Sequence, residues 1–169
     1  KGESLADTIQ TISAMNVDMF VCRARLAGTP QRITENTDAV VINAGDGKHQ
    51  HPTQALLDLY TIRKHFGHLD GLKVAIVGDL AHSRVCGSLA PALKTMGAKV
   101  TLVGPPTFQV DDPDWFGCPQ TAHFDDVIED MDVIYMLRVQ LERMEGAVIP
   151  SRREYNRLYG LDMTRVNRM

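Results

Sequence analysis

Cysteine is scarce in this sequence. Its three cysteines (Cys22, Cys86 and Cys118) stand far apart and form neither a CxxC pair nor a zinc spacing. An odd, unpatterned count excludes a disulfide framework and predicts a reducing, cytoplasmic setting. A basic excess is also lacking. The net charge of -3 removes the electrostatic footprint expected of a nucleic-acid binder. No apolar run approaches the ~20 residues that a membrane helix needs, so no membrane partner is expected. No signal peptide is expected from the opening residues. Repeats and low-complexity tracts are absent as well. What remains is 44% hydrophobic and 23% charged over 169 residues, which is globular rather than disordered composition.

Helical and strand patterns alternate along the chain. Leu5, Ile9, Ile12 and Met15 recur at helical spacing, predicting a helix over Ser4 to Met15. A buried strand is predicted over residues 17–22. A short helix is expected near Pro30, and a second strand over 39–44, broken by Gly45-Asp46-Gly47. Pro52 starts a stronger helix, with Leu56, Leu59, Ile62 and Phe66 on one face. Gly67 and Gly71 bracket a polar turn that is the best candidate for a domain boundary. Beyond it come a strand at 73–79 and a helix over about 83–96 that Pro91 should kink or delay. A strand at 98–104, a loop over 105–119, a short helix at 125–130 and a strand at 132–137 follow. Ser151 and Glu154 fit a capping box, so residues 152–159 should be helical and Gly160 should end them. The expectation is an α/β fold of two parallel-sheet domains, 1–66 and 67–169. Both would be incomplete, because the chain reads as an internal segment of a longer one.

In such folds ligands sit beyond the carboxyl ends of the strands. Polar residues cluster there in three places. The first cluster runs from Asn43 to Gln54. Its glycines permit close backbone approach, and His51, Thr53 and Gln54 crowd the start of a helix. A neutral histidine there could donate to a polarising carbonyl, and Gln54 could read an amide-like group. A polar turn with a helix cap is the competing reading. His49 and His51 have the spacing of a metal pair, but no carboxylate or thiolate stands at useful spacing, and no metal is expected.

The second cluster runs from Gly78 to Arg84. Leu80 and Ser83 stand where a dinucleotide fingerprint would need glycine, so a nicotinamide cofactor is not expected. Arg84, near a helix start, offers a fork suited to a carboxylate or phosphate. The third cluster places Arg138 and Gln140 two apart, on one side of an extended segment. Arg23 has a similar position after the first strand. The alternatives are a solvated surface arginine at Arg84, an ordinary charged strand end at Arg138, and a surface pair with Arg25 at Arg23. The inventory holds no paired catalytic carboxylates and no activated serine or cysteine. It suits a site that binds small anions and works by positioning and charge stabilisation.

The segment from Asn43 to Ile62, NAGDGKHQHPTQALLDLYTI, resembles the signature of the aspartate carbamoyltransferase family. KGESLADT at 1–8, VGDLAHSR at 77–84 and YMLRVQLER at 135–143 are similar to three further family segments, in the same order. The RVQ triplet distinguishes the aspartate enzymes from ornithine carbamoyltransferases, which share the HPxQ core.

The resemblance implies carbamoyl phosphate and L-aspartate as substrates and no cofactor. It implies that Arg23, His51 and Gln54 contact carbamoyl phosphate, with Gln54 holding the carbamoyl NH2. It implies that Arg84 and Arg138 grip the aspartate carboxylates, with Gln140 supporting them. Lys1 would enter the neighbouring subunit's site and contact both carbamoyl phosphate and aspartate there, so a homotrimer with shared sites is implied. Regulatory chains and pathway-enzyme partners are left open. The family's S-x-x-T-R and HPxP segments fall outside residues 1–169, so this piece alone is expected to be inactive. Ala24 stands where the family usually has histidine. An ornithine-type enzyme and a non-catalytic structural homologue are the alternatives.

Overall fold

The computed structural model describes residues 2–112, 117–139 and 151–169. Helix α1 (Leu5–Ser13) opens on a capping box. The Ser4 Oγ accepts from the Asp7 backbone N–H at 3.1 Å, and the Asp7 carboxylate accepts from the Ser4 N–H in return. Strand β1 (Met19–Ala24) pairs in parallel with β2 (Val40–Asp46), and α2 (Thr29–Thr34) forms the crossover. Pro30 sits in the first turn of α2, where its missing N–H costs nothing.

Three expectations need correction here. β1 is not a buried strand. It alternates exposed and half-buried positions, with Val21 68% exposed, because within this structure it pairs with β2 alone. Glycine does not break β2, which runs on through Gly45 to Asp46. Cys22 pairs with Asn43 and Ala24 with Asp46, so β2 carries an extra residue opposite Arg23. That is a bulge, and the positive φ of Gly45, 114°, accommodates it. Arg23 therefore lies inside β1 rather than after it.

Helix α3 (Pro52–Phe66) ends at Gly67, in left-handed conformation at φ 83°. Its buried residues are Ala55, Asp58 and Ile62, with Leu59 packed beside them, so the predicted stripe holds at Leu59 and Ile62 but not at Leu56, which is 66% exposed, or at Phe66. Four parallel strands form a second sheet: β3 (Lys73–Val77), β4 (Lys99–Val103), β5 (Gln120–Thr121) and β6 (Val133–Met136), in the order β5-β4-β3-β6. β5 lies just beyond the predicted loop and was not foreseen. Helix α4 (Cys86–Thr95) starts later than predicted and holds Pro91 within it. The expected helix at 125–130 is a pair of 3-10 turns. Helix α5 (Arg152–Tyr159) follows a Ser151 cap as expected, and α6 (Met163–Val166) comes after it.

Strand alternation divides the core between the two faces of the sheet. Val74 and Ile76 point to the face covered by α3 and α4, among Ile62, Leu89, Leu93 and Leu102. Ala75 and Val77 point to the other, among Phe124, Ile128 and Tyr159. So α3, which follows the first sheet in sequence, buries its inner face in the core of the second. Among the described residues no helix is long and apolar enough to cross a membrane.

Candidate active site

The strand order creates a switch point. From β3 the chain winds outward through β4 and β5, then returns to place β6 on the other side of β3. Loops leaving adjacent strands at such a point part and open a crevice at their carboxyl ends. The loop after β3 carries Arg84. The segment after β6 carries Arg138. Both of these arginines thus occupy the same edge of the sheet.

Arg84 reaches from there to the first sheet. A Cβ on Gly45 would lie 2.8 Å from its Cζ and 2.9 Å from its Nε, so the guanidinium rests against the bulge of β2. A glycine is needed there for its positive φ and for this close approach. Arg84, Arg23, Arg25 and Lys48 line one open cleft of about 960 Å³. Arg23 and Arg84 are site candidates from the sequence; Arg25, read there only as a surface neighbour of Arg23, and Lys48 are not.

The loop from Gly45 to His51 is fixed from below by Asp46, which is 1% exposed. Its carboxylate accepts from the Gly28 N–H at 2.7 Å, Asn43 Nδ2 at 2.9 Å and the Gln50 N–H at 3.1 Å, and it pairs with His49 Nδ1 at 3.0 Å. Burial alone would raise the Asp46 pKa. The four donors outweigh it and hold the carboxyl below its usual range. On the other side the loop meets α4. The His51 N–H donates to Ser88 Oγ at 2.8 Å, and a Cβ on Gly87 would collide with the His49 carbonyl oxygen. Loop and second core are thereby locked together.

His51 caps α3 with its backbone, and its ring is half-buried. Its Nδ1 stands 3.1 Å from Thr53 Oγ1. Desolvation, then the charges of Arg84 and Arg23, push its pKa below the ordinary 6.5, against a smaller opposing pull from Asp58. The ring is therefore neutral near pH 7. In the tautomer where the Thr53 hydroxyl donates to Nδ1, the ring proton sits on Nε2 and can donate to a ligand oxygen. The helix start supplies fewer free N–H groups than the sequence suggested. Pro52 has none, and Gln54 and Ala55 both donate to the His51 carbonyl oxygen. Anion binding here rests on guanidinium groups more than on the helix end.

Gln54 donates through Nε2 to Asp58 Oδ1 at 3.0 Å, and the Tyr135 hydroxyl on β6 donates to Asp58 Oδ2 at 2.9 Å. Neither Asp58 nor Tyr135 was singled out in the sequence. The four-residue spacing from Gln54 to Asp58 was the available signal. Arg138 is exposed and lies outside the lining of the cleft. Leu137, just before it, packs on Gly78. Gln140 and Lys1 lie outside the described residues. His49 and His51 have different partners, and the described residues hold no group of three or more His, Cys, Asp or Glu able to hold a metal ion.

Comparison with known proteins agrees with this architecture. The family model for the aspartate/ornithine carbamoyltransferase carbamoyl-P binding domain matches residues 1–64, and that for the Asp/Orn binding domain matches residues 70–169. The aspartate carbamoyltransferase catalytic subunit of Thermobifida fusca is 52% identical over 169 residues, covering 100% of this chain and 54% of its own length. Crystal structures of aspartate transcarbamoylase from Trypanosoma cruzi superpose with a TM-score of 0.85. The complex with carbamoyl aspartate and phosphate is 30% identical, and the complex with N-(phosphonacetyl)-L-aspartic acid 29%. Each match covers 99% of this chain and 56% of the other. The chain thus spans about half the length of the relatives it matches. Two consecutive family models, one relative 52% identical along the whole of this chain and a shared parallel-sheet α/β fold agree: this chain belongs to the aspartate/ornithine carbamoyltransferase family.

Proposed function

We propose that the full-length chain containing these residues transfers the carbamoyl group of carbamoyl phosphate to the amine of L-aspartate, giving N-carbamoyl-L-aspartate and phosphate for pyrimidine synthesis. The observation that carries this reading is that Arg23 from the first sheet and Arg84 from the second line one cleft, with His51 near enough to both for their charges to lower its pKa. A site for acyl transfer between two anions needs cations to gather the substrates and a neutral donor for the carbonyl oxygen. The T. fusca relative's name and the ligands of the T. cruzi structures support aspartate as the acceptor.

On this reading residues 1–66 belong to the carbamoyl phosphate side and 67–169 to the aspartate side. His51 Nε2–H and Arg23 hold the carbonyl oxygen, and Gln54 Oε1 accepts from the carbamoyl NH2. Arg84 and Arg138 pair with the two carboxylates of aspartate, supported by Gln140. The neutral amine attacks the carbamoyl carbon. Negative charge collects on the oxygen facing His51 and Arg23, and the C–O bond to phosphate then breaks. Phosphate leaves with the bonding pair and accepts the amine proton. No cofactor takes part. Lys1 would serve a neighbouring subunit's site in a cytoplasmic homotrimer.

Steady-state turnover of the full-length chain tests this reading. Carbamoyl aspartate should form from the two substrates, and ornithine should not replace aspartate. No product, or faster turnover with ornithine, would overturn it. The 169-residue piece alone should show no turnover.

A further inference from the structure

We propose that Asp58 is a positioning residue that orients the Gln54 amide and so gives the site its preference for a carbamoyl NH2 over a methyl group of the same size. The proposal deepens the reading above and rests on it. Asp58 lies in α3, 9% exposed, with both carboxylate oxygens engaged. One accepts from Gln54 Nε2, one helical turn toward the cleft. The other accepts from the hydroxyl of Tyr135, which arrives from β6 of the second sheet.

A carboxylate held by two donors has nothing to donate, so the end of the Gln54 amide that faces it must be the NH2. The opposite end is then Oε1, an acceptor without a proton. Gln54 stands three residues after His51 in the first turn of α3. An acceptor placed there gains a hydrogen bond from an NH2 and gains none from a CH3. Tyr135 meets the second carboxylate oxygen, while the bond to Gln54 sets the amide's orientation. Desolvating a carboxylate inside a protein is costly unless its lone pairs are met. Here they are met by the amide that needs orienting and by a tether from the opposite sheet.

The competing possibility is that Asp58 merely joins the two sheets. Carbamoyl phosphate and acetyl phosphate separate the two cases, since they differ at the NH2. Binding of each to the full-length chain is measured by calorimetry for the unsubstituted protein, Asp58→Asn and Tyr135→Phe, with thermal unfolding of each. Asp58→Asn puts an NH2 in the carboxylate's place and lets the Gln54 amide reverse. The expected result is a loss of about tenfold or more in carbamoyl phosphate affinity, worth ~1.4 kcal/mol. Acetyl phosphate binding should change little, so the preference collapses. Tyr135→Phe keeps the Gln54 bond and should retain the preference. Should Asp58→Asn not fold, Asp58→Glu carries the same test, because the longer side chain moves the acceptor and lowers the preference. Equal losses for both ligands, an unchanged preference in the Asp58 variants, or a collapse in Tyr135→Phe would overturn the proposal. An unsubstituted chain that binds neither ligand would overturn the proposed function as well.

Discussion

Arg84 lies against Gly45, across the gap between the two sheets, so closely that a single added methyl would touch the guanidinium carbon. Gly45→Ala therefore has two effects. The left-handed φ of 114° costs about 1–2 kcal/mol for a residue with a side chain. The guanidinium must also move. The expected outcome is a fall in thermal stability together with a roughly tenfold rise in KM for aspartate, equivalent to ~1.4 kcal/mol. KM for carbamoyl phosphate should rise less. Denaturant titration and steady-state kinetics of the full-length chain read both.

His51 should titrate below 6.5, with Arg84→Ala and Arg23→Ala each moving its midpoint upward. Proton-detected NMR of the ring measures this. The folded state holds this proton less tightly than the unfolded chain does. The stability His51 contributes is thus fully present above 6.5 and is lost as pH falls toward the folded value.

Arg165 makes a third case, remote from the cleft. It is 8% exposed and donates to the carbonyl oxygens of Arg157, Leu158 and Gly160 at the end of α5, and to both oxygens of Asp125. Asp125 is half-exposed, so most of the stabilisation comes from the three carbonyl groups rather than from the ion pair. Arg165→Ala should cost about 2–4 kcal/mol in urea unfolding. Arg165→Lys should recover little, because a single ammonium cannot span the same fork.

Much of this arrangement was legible in the letters, and the misses have physical causes. The alternation of strand and helix, the Pro52 helix start and the Ser151 cap depend on local chemistry, and each is found in the structure. The inner face of α3 is legible only at Leu59 and Ile62, because a purely apolar stripe was assumed. The face that packs inward includes Asp58, whose partners Gln54 and Tyr135 lie 4 and 77 residues away. A buried carboxylate is made tolerable by groups that periodicity does not register. Arg84 was picked out by its place before a helix, but its rest against Gly45 required the bulge in β2, which no pattern in residues 39–47 announced. The exposure of β1 reflects how many strands flank it here, a tertiary property that an apolar run does not carry.

The central claim is that one crevice gathers both substrates with arginines drawn from both sheets. Titration of the full-length chain with N-(phosphonacetyl)-L-aspartate, which joins the two ligand chemistries in one molecule, tests it most directly. The account predicts one tight site per chain, weakened at least tenfold by Arg23→Ala and by Arg84→Ala separately. An absence of binding, or affinity unchanged by either substitution in a folded protein, would contradict it.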